Sequence, residues 1–126
     1  MSGNFIIDYN AKILITGAGG FVGSKVVETL IGYGFKSLRC LMRTNRNVSN
    51  LRRLATNRNV NIEFLNGNLL SREDCMKAVS DVAVIYHLAA GVEKSFPGCF
   101  LNSVVTTRNL LDAAIQQKNL KRFVNI

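Results

Sequence analysis

The chain has 126 residues, 48% of them hydrophobic and 19% charged, with 16 lysines and arginines against 8 aspartates and glutamates for a net charge of +8. Those values describe one soluble globular domain, residues 1–126, with a core of its own, and exclude a second domain of ordinary size. No apolar run approaches the roughly 20 residues that cross a bilayer, and Met1 to Asp8 has neither a basic region nor a long apolar stretch, so no membrane partner and no signal peptide are expected.

Lys12–Thr16 is apolar and partly β-branched, and it runs into glycines, as a buried parallel strand does. From Phe21 to Ile31 apolar residues recur at helical spacing, and Gly32 or Gly34 closes that helix. Ser37–Met42 predicts a second strand. A helix follows, capped by Ser49 or Asn50, with Leu51 and Leu54 facing inward and its end near Arg58. Residues 60–65 predict a third strand. Ser71 with Asp74 three residues on has the form of a capping box, opening a short helix to Val79. Residues 82–88 form a fourth, continuously apolar strand. Pro97 suits the first turn of a long helix whose apolar face is Leu101, Val104, Val105, Leu111, Ala114 and Ile115. Residues 122–126 begin a fifth strand.

Alternating strands and helices with right-handed crossovers give an α/β fold, a doubly wound parallel sheet of about five strands. The expected order is 3-2-1-4-5, with a ligand crevice at the switch point between strands 1 and 4. The chain carries no internal repeat, low-complexity tract or linker.

Cys40, Cys75 and Cys99 are odd in number, widely spaced and without a C-x-x-C pair. Neither a disulfide framework nor a metal site is expected, and a reducing cytoplasmic location fits. The charge raises the question of nucleic acid, because basic residues thicken through Arg39, Arg43, Arg46, Arg52, Arg53 and Arg58. A solvated face plus a site for an anionic cofactor is preferred to nucleic-acid binding. His87, alone at a strand end with no partner cluster, is expected to be a packed, hydrogen-bonded residue near the crevice rather than a metal ligand.

The strongest functional signal is Thr16-Gly17-Ala18-Gly19-Gly20-Phe21-Val22-Gly23. Gly17, Gly20 and Gly23 have G-x-x-G-x-x-G spacing, with Gly19 inside it, between an apolar strand and an amphipathic helix. A pyrophosphate needs backbone N–H groups and the positive end of a helix dipole, and a side chain at the contact would hold it away. An acidic residue about 20 positions past the glycines normally bonds the adenosine ribose of NAD. Arg43 stands there instead, with no carboxylate nearby, and arginine suits a 2′-phosphate. NADP is therefore the expected cofactor, with NAD the alternative.

With these residues in place the chain resembles the extended short-chain dehydrogenases/reductases, the NAD-dependent epimerase/dehydratase family with a Rossmann fold. The likeness runs from about Lys12 to Ile126. Its motifs are Thr16-Gly17-x-x-Gly20-x-x-Gly23, Gly67-Asn68-Leu69, His87-Leu88-Ala89-Ala90, Thr107-x-Asn109-Leu110-Leu111-Asp112-Ala113-Ala114 and Lys121-Arg122-Phe123-Val124. The resemblance implies that Gly17 to Val22, including Gly19, Gly20 and Phe21, wrap the pyrophosphate. It implies that Asn68 and Leu69 line the adenine, where the family usually has Asp in place of Asn68. Leu88, Ala89 and Ala90 would pass along the cofactor toward the nicotinamide ribose. An Asn early in the long helix corresponds to Asn102 or Ser103, in a supporting role.

The family's Ser or Thr after the fifth strand, and its Tyr-x-x-x-Lys pair on the next helix, have no counterpart. The chain ends at Ile126, where they would begin, and Tyr9, Tyr33 and Tyr86 have no lysine four residues on. No acid/base for hydride transfer is visible. The expectation is the dinucleotide-binding portion of an epimerase, dehydratase or reductase acting on a nucleotide sugar or a small carbonyl or alcohol, inactive alone. A non-catalytic dinucleotide-binding or sensor module is the alternative. An uncovered sheet face and edge strand would favour self-association.

Overall fold

A computed structural model describes residues 4–42, 48–89 and 95–126. The elements in chain order are β1 (Lys12–Thr16), α1 (Phe21–Tyr33), β2 (Ser37–Met42), α2 (Val48–Arg58), β3 (Asn61–Asn66), α3 (Arg72–Val79) and β4 (Val82–His87). Then α4 (Phe96–Cys99) continues through a π-helical turn (Phe100–Val105) into α5 (Thr106–Ala114), and β5 (Arg122–Asn125) follows. The strands form one parallel sheet in the order β3-β2-β1-β4-β5. The expected architecture and switch point are both observed. No helix among the described residues is long and apolar enough to cross a membrane.

Right-handed crossovers in opposite directions from β1 put α1 and α2 on one face of the sheet and α3 and α5 on the other. Two core clusters result. Ile13, Ile15, Leu38 and Cys40 pack with Val27, Leu30 and Leu51. Leu14, Leu41 and Ile85 pack with Cys75, Val79, Leu110 and Ala113 on the opposite face. Adjacent strand residues alternate between the clusters because side chains alternate across a strand. Burial pushes the Cys40 thiol up to about 12 and, with Asp74 adding to the effect and Arg72 opposing it, the Cys75 thiol up to about 11. Both are inert apolar fillers at neutral pH.

Helix α1 ends at Gly34, whose amide reaches the Ile31 and Leu30 carbonyls. At α3, Ser71 Oγ accepts from the Asp74 amide, the expected cap. The reciprocal half of the box is replaced: Asp74 Oδ2 accepts from the amide of Asn68, not Ser71. Helix α2 begins at Val48, so Ser49 and Asn50 lie within its first turn rather than capping it.

The predicted apolar face of the long helix is corrected. Leu101, Val104, Leu111 and Ile115 are exposed, and the buried face of α5 is Thr106, Asn109, Leu110, Ala113 and Ala114. Leu101, Val104, Leu111 and Ile115 do share one side of the helix, but that side is the exposed one; of the predicted face Ala114 is buried, and it packs inward beside Leu110 and Ala113. The polar members of the buried face are bonded to backbone: Thr106 Oγ1 to the Asn102 carbonyl, and Asn109 Nδ2 to the Leu69 carbonyl.

Arg39 leaves the basic run altogether. It points from β2 toward α3 and is 7% exposed. Its Nε donates to Glu63 Oε2 at 2.7 Å, and Nη1 donates to the carbonyls of Lys77, Ala78 and Ser80 at 3.2, 2.7 and 2.9 Å. A buried guanidinium thus satisfies the carbonyl end of α3, where cations are favoured. Arg52 stacks over the Phe64 ring at 4.6 Å, and Arg43 and Arg46 lie outside the described residues. Arg39→Met should cost about 2–4 kcal/mol by urea denaturation, because three carbonyls lose their donor. Glu63→Gln, at a half-exposed partner, should cost less than about 1 kcal/mol. Equal costs would show that the ion pair, not the helix end, is what Arg39 serves.

Candidate functional site

The carboxyl ends of β1 and β4 part at the switch point, and a crevice of about 520 Å³ opens between them, a size suited to a small-molecule site. Gly17, Gly19 and Gly20 form one wall. Asn68 and Leu69, after β3, form a second, and Leu88 and Ala89, after β4, a third. Asn102, from the π-helical turn, reaches the same space, whereas Ser103 does not line it. Phe21 and Val22 do not line it either. Phe21 is 84% exposed, and Val22 borders an apolar groove on the α1 face. Arg43 and Ala90 lie outside the described residues.

The glycine corner is built by close approach. Gly17 has φ 69°, and a Cβ there would stand 2.9 Å from the Ala89 nitrogen. A Cβ on Gly23 would overlap the Gly17 carbonyl. Both positions therefore demand glycine for the fold alone. Gly20 differs. Its backbone is extended, and a Cβ would meet only the Gly17 carbonyl, at 3.4 Å.

Gly20 is the N-cap of α1, and no side chain caps that end. The first turn of α1 holds no acidic residue. The amides of that turn and the positive end of the dipole are thus left without an anion from the described chain. By contrast α3 has its Ser71 cap and two acids, Glu73 and Asp74, in its first turn.

The floor is a row of buried polar groups. Thr16 Oγ1 accepts from the amides of Leu88 and Ala89, each at 3.1 Å, and lies 2.7 Å from His87 Nδ1. His87 Nε2 lies 2.9 Å from Thr107 Oγ1, which in turn bonds the Ser103 carbonyl. His87 is 1% exposed, and burial lowers its pKa from the ordinary 6.5. The packed, hydrogen-bonded histidine expected from sequence is what stands here. The Asn68 side chain is partly committed, because its Oδ1 accepts from the Leu70 amide at 2.9 Å. Its Nδ2 is the group left to face a ligand.

Thr16, Leu41, Met42, Gly67 and Thr106 also line the crevice and were not singled out by sequence as site residues. The signal for Leu41 and Met42 was their place at the carboxyl end of the strand beside the switch point. Thr106 has no signal beyond the π-helical turn, which sequence does not announce. None of the three tyrosines lines the crevice. Tyr33 and Tyr86 border the groove on the α1 face, and Tyr9 packs against Phe5 and Phe35.

The profile of the NAD dependent epimerase/dehydratase family matches residues 13–126, and the chain belongs to that family. A protein of Methanocaldococcus jannaschii described as an uncharacterized membrane protein is 26% identical over 90% of this chain and 35% of its own length. Among solved structures, Pen of Bacillus thuringiensis aligns with a TM-score of 0.79 at 25% identity, over 90% of this chain and 37% of that one. UDP-glucuronic acid 4-epimerase of Bacillus cereus, solved in complex with NAD, aligns with a TM-score of 0.73 at 28% identity, over 90% of this chain and 38% of that one. The chain therefore spans little more than a third of the length of these relatives.

A folded His87 that resists protonation makes stability depend on pH. The unfolded ring takes up a proton as pH falls through about 6.5, the folded ring only lower, so the unfolded state binds more protons in that window. Stability is at its full value above pH 6.5 and should fall below it by up to about 1.4 kcal/mol per pH unit, levelling once the folded ring also titrates. Urea midpoints between pH 7.5 and 5 measure this. A flat profile there would contradict the buried, neutral ring.

Proposed function

We propose that this member of the NAD dependent epimerase/dehydratase family binds a nicotinamide dinucleotide in the crevice. It would form the cofactor-holding portion of an epimerase, dehydratase or reductase acting on a nucleotide sugar or a small carbonyl or alcohol. The observation that carries the proposal is the amino end of α1, which opens on the crevice without a capping side chain or a first-turn acid. A diphosphate supplies the charge that this end lacks.

Within that assignment Gly17, Gly19, Gly20 and the amides at Phe21, Val22 and Gly23 hold the pyrophosphate. Asn68 Nδ2 and the Leu69 side chain hold the adenine. Leu88 and Ala89, with Ala90 beyond them, guide the nicotinamide ribose, and Asn102 supports that end. The dinucleotide, once bound, supplies hydride transfer. The chain's own residues bind it, orient it and exclude water. The Tyr-x-x-x-Lys pair is absent from these 126 residues, so binding without turnover is expected of the chain as it stands. A preference for NADP rests on Arg43 and a 2′-phosphate, while the Bacillus cereus epimerase holds NAD.

Calorimetry tests the proposal. Binding of NAD or NADP at micromolar to submillimolar concentration is expected, and no heat from either at millimolar concentration would end it. NADP should bind more tightly than NAD, and Arg43→Ala should remove the difference. Two glycine variants separate fold from site. Gly23→Ala should cost several kcal/mol of stability through its overlap with Gly17. Gly20→Ala, at the N-cap, should cost no more than about 1 kcal/mol of stability yet weaken binding about tenfold or more, by holding the pyrophosphate off the helix end. Self-association is a proposal of the same kind. It rests on β5 as a sheet edge among the described residues, and a single monomeric species in sedimentation velocity would remove it.

A further inference from the structure

Three contacts converge on the Thr16 hydroxyl: the amides of Leu88 and Ala89 at 3.1 Å and His87 Nδ1 at 2.7 Å. A backbone amide can only donate, and a hydroxyl offers two lone pairs and one proton. The two amides occupy both lone pairs. The Thr16 proton is left to go to Nδ1, which therefore has to be bare. The ring's own proton sits on Nε2, facing Thr107 Oγ1 at 2.9 Å, and Thr107 passes its proton to the Ser103 carbonyl. Each proton in the row has one place.

We infer that His87 is a positioning residue for the dinucleotide: fixed as the neutral Nε2–H tautomer, it aims the Thr16 hydroxyl so that the Leu88–Ala89 backbone is held at the crevice wall. The inference rests on the proposal that this crevice takes the dinucleotide. Thr16 immediately precedes Gly17, and the Ala89 nitrogen lies 2.9 Å from where a Gly17 Cβ would stand. A drift of the Leu88–Ala89 backbone therefore intrudes on the glycine corner itself. Through Thr107 and Ser103 the same ring ties that backbone to the π-helical turn that brings Asn102 to the crevice. An apolar side chain of similar bulk would fill the space beside Phe123 (ring centroids 6.1 Å from those of His87) but leave the Thr16 proton without an acceptor. The hydroxyl would then turn to find one, giving up an amide.

Two variants separate positioning from filling. His87→Asn places an acceptor oxygen close to the position of Nδ1, and His87→Leu supplies bulk without an acceptor. Positioning predicts that the Asn variant binds NAD within about twofold of the unaltered chain, and that the Leu variant binds at least about fivefold more weakly, the scale of one lost hydrogen bond. A Leu variant that binds as well as the Asn variant, or better, overturns the inference, since filling alone would order them that way. NAD is the probe because the 2′-phosphate of NADP titrates near pH 6 and would confuse comparisons.

The chain has one histidine, so a nitrogen-15 spectrum of its ring reads the tautomer directly and needs no variant to fold. A proton on Nε2 alone at pH 7.5 is expected, and a proton on Nδ1 there overturns the inference. If the unaltered chain binds no NAD, NADP at one fixed pH takes its place as the probe, and if neither binds, the dinucleotide proposal fails on its own terms. The inference is then decided by amide exchange at Leu88 and Ala89: faster in the Leu variant and retained in the Asn variant supports it, and no change in the Leu variant overturns it.

Discussion

The Gly17 carbonyl lies against the first turn of α1 where any side chain on Gly23 would stand. Everything around the crevice takes its place from this contact. It brings α1 down onto β1 more closely than side chains of ordinary size allow, so the free amides of the helix end face the gap between β1 and β4. Had the helix stood off by the width of a methyl group, those amides would meet bulk water and the gap would lose a wall. The dipole of α1 matters for the same reason, since its effect falls off within the first turn.

Buried polar groups hold the opposite face of the sheet in register with that corner. Arg39 pins the carbonyl end of α3 from within the core. The row from Thr16 through His87 to Thr107 pins the end of β4 to the start of α5. Both are expensive to leave unsatisfied and of modest net value when satisfied, which makes them better at specifying one arrangement than at adding stability. Around the crevice, specification is what a ligand site needs. The apolar clusters on the two faces would tolerate small displacements that these bonds do not.

The charge of +8 also reads differently once the side chains are in place. Arg39 neutralises a helix end inside the protein, and Arg52 lies on Phe64. The basic run is thus partly internal structure, and the proposed phosphate-bearing ligand rests on the bare end of α1 instead. The family's relatives are nearly three times as long as the stretch that this chain matches.

Sequence by itself determined the strand and helix order, the switch point, the glycine corner and the Ser71 cap. All of these depend on neighbours within four or five residues, or on a period that repeats along the chain. It also marked Asn68, Leu69, Leu88 and Ala89, through the motifs that carry the family resemblance, and all four line the crevice. Tertiary structure decided the rest. Arg39 looked like one more surface cation because its partners lie 24 and 38 to 41 residues away. The inward face of α5 was misjudged because polar Thr106 and Asn109 lie on it, and the Leu69 carbonyl that Asn109 bonds is 40 residues away in the chain. Thr16 and His87 stand 71 residues apart, and only the parallel pairing of β1 with β4 brings a hydroxyl, an imidazole and two amides together so that each proton has a single destination.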